Sequence, residues 1–283
     1  MRSLAPIIHS RSVRSERGAT RYWVTDDASA GAGAAVVFLH GATMDHGLWR
    51  SQLDAFARTR RVIAPDLPAH GASRPYAPFS LRAAAEEVIA ILDQERVSVA
   101  HLVGQSMGGY IAQIVALERP ERARSLVAVD TTPLDSSYFT RLDRWLLSIT
   151  PALLSLYPYR SLVRSVAQGV AQTERGREYA EGALLQLSKR EIKAIMTGVY
   201  RGVAAYRDRE VSWSCPTLVI YGDRDGAGKV IQYSERWARR DGLPLRVLEG
   251  AGHNSNMDRP DEFNRALQEF LERVEAGRVA PWV

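Results

Sequence analysis

Six short apolar runs punctuate this chain: Val36 to Leu39, Val62 to Ala64, Val99 to Val103, Leu126 to Val129, Thr217 to Tyr221 and Leu245 to Leu248. Runs of that length, bounded by turn residues, suit strands buried on both faces. Between several of them lie segments of helical period. Leu81, Ala85, Val88, Ile91 and Leu92 make one apolar stripe, and Phe263, Ala266, Leu267, Phe270, Leu271 and Val274 make another, entered through Pro260. Strand alternating with helix predicts an α/β fold, with a mostly parallel central sheet and helices on both faces. At 283 residues, 46% of them hydrophobic, the chain can bury the core such a fold needs.

The alternation stops between about Pro133 and Tyr206. There the apolar and aromatic residues Tyr138, Phe139, Leu142, Trp145, Leu146 and Ile149 fall at helical spacings instead. The expected organisation is an α/β core over 1–132 and 207–283, interrupted by a helical cap over 133–206. Gly31-Ala32-Gly33 reads as a turn before the first parallel strand.

Lys and Arg (37) outnumber Asp and Glu (32), but the excess is scattered and forms no basic stripe, so nucleic acid is not an expected partner. Cys215 is the sole cysteine, which excludes an intrachain disulfide and a multi-cysteine metal site; neither metal nor cofactor is expected. No stretch approaches the roughly 20 apolar residues of a membrane span, and the Arg-bearing N-terminus lacks the pattern of a secretory signal. A soluble cytoplasmic protein with a small-molecule substrate is the expectation.

Chemistry enters at His101-Leu102-Val103-Gly104-Gln105-Ser106-Met107-Gly108-Gly109. Gly-x-Ser-x-Gly is a weak signal alone, but here it joins the end of a predicted strand to the start of a helix. A sharp strand-to-helix turn strains the serine and lifts its Oγ above the sheet, and glycines at 104 and 108 leave room for the turn. The plainer reading is a serine that caps a helix.

Together with Phe38-Leu39-His40-Gly41-Ala42 and Asp66-Leu67-Pro68-Ala69-His70-Gly71-Ala72-Ser73, this turn resembles the α/β-hydrolase superfamily over nearly the whole chain. The second loop departs from the common pattern at Ala69, where glycine is more usual. The resemblance implies Ser106 as nucleophile and His253, in Gly250-Ala251-Gly252-His253, as general base. Asp258, Pro260 and Phe263 follow at the family's usual offsets. For the acid that orients His253, the resemblance points to Asp225 in Gly222-Asp223-Arg224-Asp225, with Asp223 serving the turn and Asp130 as the rival. The anion hole would be the backbone N–H groups of Ala42 and Met107.

His40, Gly41, His46 and Trp145 are the candidates for substrate contact. His40 and His70 suit loop-shaping hydrogen bonds better than proton transfer, and His101 suits the core. Arg141 and Arg144 are alternative partners for a substrate carboxylate.

The expected activity is cleavage of a carboxylic ester or lactone through an acyl-enzyme on Ser106. Ser106 stands where dehalogenases and epoxide hydrolases need aspartate. Carbon–carbon-bond hydrolases usually carry Gly-Pro-Gly where this chain reads Ala42-Thr43-Met44. They remain an alternative, as do cofactor-free haloperoxidase or acyltransferase relatives and small-molecule receptors that retain the triad.

Overall fold

The computed structural model describes residues 8–25, 33–135, 138, 140, 142, 145, 149–150, 156–206, 211 and 213–279. Among them, eight strands form one sheet in the order β1-β2-β4-β3-β5-β6-β7-β8. β3 (Ala35–Leu39), β4 (Val62–Pro65), β5 (Ala100–Gln105), β6 (Ala123–Val129), β7 (Thr217–Gly222) and β8 (Leu245–Leu248) are mutually parallel and coincide closely with the six apolar runs.

The antiparallel hairpin of β1 (Ile8–Ser15) and β2 (Gly18–Thr25), joined to β4 through β2, has no counterpart among those runs. β1 is an edge strand with polar residues at most positions, so it leaves no continuous apolar signature. β8 corrects the expectation of strands buried on both faces: it closes the opposite edge, and its Val247 is 44% exposed.

Each central strand is apolar on both sides because both sides are covered. Val36, Phe38, Val103, Val127 and Ile220 face a cluster built on α1 (Arg50–Phe56) and α9 (Pro260–Glu275), with Phe263, Leu267 and Phe270 at its centre. Their neighbours Val37, Leu39, Leu102, Leu126 and Val219 face the other layer, made by α2 (Leu81–Gln94), α3 (Met107–Glu118) and α7 (Val230–Asp241). Local signals agree with the helix boundaries. Ser80 accepts from the Ala83 N–H and caps α2, Pro260 opens α9, and Gly242 ends α7 in a left-handed conformation.

Between β6 and β7 lie α4 (Tyr159–Val170), α5 (Glu174–Leu185) and α6 (Lys189–Ala204), and no strand among the described residues. A short turn of helix, α8 (Ser255–Asp258), precedes α9. No helix among the described residues is long and apolar enough to cross a membrane. The topology brings the C-terminal ends of β3, β5, β6, β7 and β8 to one edge, where α/β sheets hold their ligands.

Candidate active site

β5 delivers Ser106 to that edge, and α3 starts at the next residue. Ser106 has φ 51° and ψ −115°, a strained conformation for an L residue that costs about 1–3 kcal/mol. Glycine makes the turn sterically feasible. A Cβ on Gly104 would lie 2.2 Å from the Gly108 carbonyl oxygen, and one on Gly108 would lie 2.1 Å from that of Leu39. Backbone meets backbone at both points, so neither can yield. The Ser106 side chain makes no capping hydrogen bond to α3. Its Oγ lies instead 2.9 Å from His253 Nε2.

His253 follows β8, and its Nδ1 lies 2.8 Å from Asp225 Oδ2, just beyond β7. A carboxylate only accepts, so Nδ1 carries the proton and Nε2 is left to accept from the serine hydroxyl. Burial pulls the imidazole pKa down, but the Asp225 charge and hydrogen bond, helped by Asp130, more than offset it and raise it above 6.5. The other Asp225 oxygen accepts the Ala227 N–H at 2.8 Å, which sets the path of the Gly226-Ala227-Gly228 loop. Asp223 Oδ1 accepts the Gly250 N–H at 2.6 Å, a turn contact. The residue between Gly104 and Ser106 also contributes: Gln105 Nε2 donates to the His253 carbonyl at 2.7 Å.

Asp130 does not take the orienting position. Its Oδ1 accepts from Gly222 N–H at 2.9 Å, and its Oδ2 accepts from the Ser255 N–H at 3.0 Å and hydroxyl at 2.6 Å. Burial, with the neighbouring Asp225 charge adding to it, pushes this carboxyl up to about 8.

Ser106 and His253 open into a cavity of about 640 Å³, which Ala42 and Met107 also line. Met107 begins α3, so its N–H belongs to the first helical turn, which has no intrahelical acceptor. Above these residues the wall is the inner face of α6, with Met196, Val199 and Val203, and beside them stand Tyr110, Tyr233 and Lys229. Sequence reasoning named none of these, because the placement of one helix over another segment's loop leaves no local pattern. A larger groove of about 960 Å³ runs between residues 74–82 and the outer side of α6. It touches neither Ser106 nor His253, so the smaller cavity is the candidate site.

Several residues expected at the substrate lie elsewhere. His40 is fully buried. Its Nδ1 contacts the Gly41 carbonyl at 2.8 Å, and its Nε2 accepts the Leu67 N–H at 2.8 Å; burial lowers its pKa to about 4. Gly41 is a steric requirement, because a Cβ there would meet Gln105 Oε1 at 2.0 Å. His46 is drawn aside by Asp66, 2.7 Å from its Nδ1, and stacks on Trp23 with ring centroids 3.4 Å apart. Trp145 is 57% exposed and does not line the cavity. Arg141 and Arg144 lie outside the described residues.

The potential ligand atoms of Asp45, His46 and Asp66 fall within 4.8 Å of one another. Those carboxylates are engaged by Tyr179, Gly47, His46 and Ala72, which accounts for the cluster without an ion.

A hydroxyl, an imidazole and a carboxylate in hydrogen-bonded series, at the C-terminal edge of a mostly parallel sheet, match the α/β-hydrolase class. The alpha/beta hydrolase family model matches residues 36–266, and the chain belongs to that family. It is 30% identical over 260 residues to a pimeloyl-[acyl-carrier protein] methyl ester esterase of Aeromonas hydrophila subsp. hydrophila, covering 85% of this chain and 96% of the relative. The corresponding esterase of Yersinia pseudotuberculosis is 28% identical over 266 residues, covering 89% and 97%. Among solved structures, an N-acyl homoserine lactone degrading enzyme superposes with a TM-score of 0.75 at 27% identity, covering 92% of this chain and all of that one. A thermophilic esterase from Thermogutta terrifontis, at 22% identity and a TM-score of 0.74 over 95% and 99%, shares the fold.

Proposed function

We propose that this chain is a serine hydrolase that cleaves carboxylic esters by two-step acyl transfer. Ser106 Oγ attacks the ester carbonyl while His253 Nε2 takes its proton; Asp225 holds the imidazole tautomer and balances the imidazolium charge. The N–H groups of Ala42 and Met107 receive the oxyanion. The imidazolium protonates the departing alcohol, and water activated by His253 then releases the acid from Ser106. The observation that carries this reading is the continuous relay from Ser106 Oγ through His253 to Asp225, with contacts of 2.9 and 2.8 Å, at the floor of a cavity. The methyl ester esterases among its relatives support the reaction class.

In this reading the helices between β6 and β7 form the cap, and α6 roofs the acyl pocket with Met196, Val199 and Val203. Those walls favour an apolar group of modest size. A lactone differs from a linear ester only in that the leaving oxygen stays tethered to the acyl group, so the same groups serve it. Similarity to the lactone-degrading enzyme supports lactones as a second substrate class beside esters.

The test is turnover of a panel of chromogenic esters and lactones by the wild type and by Ser106→Ala. The variant is expected to lose about 10⁴-fold or more in kcat. Near-normal turnover in it would remove the proposal.

A further inference from the structure

Two peptide units on either side of His253, 251–252 and 253–254, are held by groups outside their own loop. The Gly252 N–H donates to Asp258 Oδ2 at 2.9 Å, the His253 carbonyl accepts from Gln105 at 2.7 Å, and the Asn254 N–H donates to the Val170 carbonyl at 2.7 Å. Gln105 belongs to β5 and Val170 ends α4. Asp258 joins the two sides. Besides Gly252 it accepts from the Gln172 N–H at 2.8 Å, the Thr173 N–H at 2.9 Å and the Thr173 hydroxyl at 2.7 Å. It is buried, and both its oxygens are occupied by donors from the α4–α5 turn and the histidine loop. There is no slack at this junction: a Cβ on Gly252 would stand 3.2 Å from the Val170 oxygen and 3.3 Å from Asp258 Oδ2. The helix that Thr173 caps also reaches the loop after Ala42, where the Tyr179 hydroxyl contacts Asp45 Oδ1 at 2.9 Å.

From this junction we infer that Asp258 is a positioning residue: its carboxylate ties the α4–α5 turn to the Gly252 peptide and so lets the helical insertion set where the His253 imidazole stands relative to Ser106. The inference rests on the proposed role of His253 as base. Its chemical logic lies in the donor set. Four donors, three of them backbone N–H groups, converge on one side chain, and only a carboxylate accepts from all four. An asparagine there turns an NH₂ group toward backbone N–H donors, repelling one side of the junction while preserving volume.

The experiment compares Asp258→Asn and Thr173→Val with the wild type in the full chain. It uses steady-state kinetics on a short acetate ester, together with the downfield proton resonance of the His253 Nδ1–H. Thr173→Val removes the hydroxyl that donates to Asp258 and caps the Gly176 N–H of α5, remote from substrate, and keeps the side-chain shape. Asp258→Asn is expected to lower kcat by about 10- to 100-fold, the scale of a small misplacement of a reacting group. KM for the short ester should change by less than about threefold, since Asp258 does not line the cavity. The resonance should broaden or shift. Thr173→Val should change kcat and the resonance in the same direction, by a smaller factor.

Wild-type kcat and an unmoved resonance in Asp258→Asn overturn the inference. Should Asp258→Asn fail to fold, wild-type behaviour of Thr173→Val overturns it equally. A neutral Asp258→Asn beside an inactive Ser106→Ala removes only this inference, whereas an active Ser106→Ala removes the reading of the site itself.

Discussion

A serine hydroxyl becomes a useful nucleophile only when a neutral imidazole can take its proton, so in the proposed mechanism the charge state of His253 sets the pH range of activity. Burial lowers its pKa, the Asp225 charge and hydrogen bond raise it, and the raising effects win. The neutral base is therefore populated only above a pKa that exceeds 6.5, and kcat/KM should fall on the acid side with a midpoint above that value. Replacing Asp225 by Asn removes the raising charge. The midpoint should then move to lower pH while kcat drops by orders of magnitude, about 10⁴ in the comparable serine protease change. A pH–rate profile of the two proteins checks this; an unshifted limb would detach Asp225 from His253. Ser106 and His253 were legible because each sits in a short motif whose glycines answer a steric demand, as at Gly104 and Gly108. Asp225 against Asp130 was open in the sequence, since both follow a strand end. What separates them is direction: Asp130 turns to Gly222 and Ser255, and Asp225 to the imidazole.

At the scale of elements, the six parallel strands were readable because burial on both faces demands unbroken apolar runs. β1 and β2 were not, since a hairpin at the sheet edge has only a partial core to face. The loop after β4 shows sequence and structure agreeing through an irregularity. Ala69, which stands where glycine is usual, has φ 68°, in the left-handed region that glycine favours. The helices between β6 and β7 fall in the stretch where the sequence has no strand-like run, but the residues quoted for helical spacing, Tyr138 to Ile149, precede α4, and Phe139 and Leu146 among them lie outside the described residues. The contributions of these helices were not legible: α6 roofing the cavity and the α4–α5 turn meeting Asp258 depend on packing between segments far apart in the chain. His46 shows the same limit. Nothing in its neighbourhood of the sequence signals that Asp66 and Trp23 will hold it away from the cavity.

For the molecule as a whole, three histidines that take no part in the chemistry carry a consequence for stability. Burial lowers His40 and His101 to about 4 and His70 to about 3, so all three stay neutral in the folded state while the unfolded chain takes up protons near 6.5. Their contribution is present above 6.5 and is lost as pH falls toward 4, at roughly 1.4 kcal/mol per pH unit for each. His253 and the Asp130 carboxyl, both with raised pKa, take up protons in the folded state and oppose the trend, two groups against three. Urea unfolding should therefore give a stability about 1–3 kcal/mol lower at pH 5 than at pH 7; a stability higher at pH 5 would contradict the burial of these rings as neutral groups. The central claim is that one hydroxyl, activated by the relay at the sheet edge, carries the acyl group through the reaction. The most direct measurement is intact-protein and peptide mass spectrometry after rapid acid quench of the enzyme mixed with a reactive ester. The account predicts one acyl group per chain, on the peptide containing Ser106, appearing within a turnover and absent from Ser106→Ala. Turnover with no acylated intermediate, or an acyl group on another residue that survives the Ser106→Ala change, would contradict it.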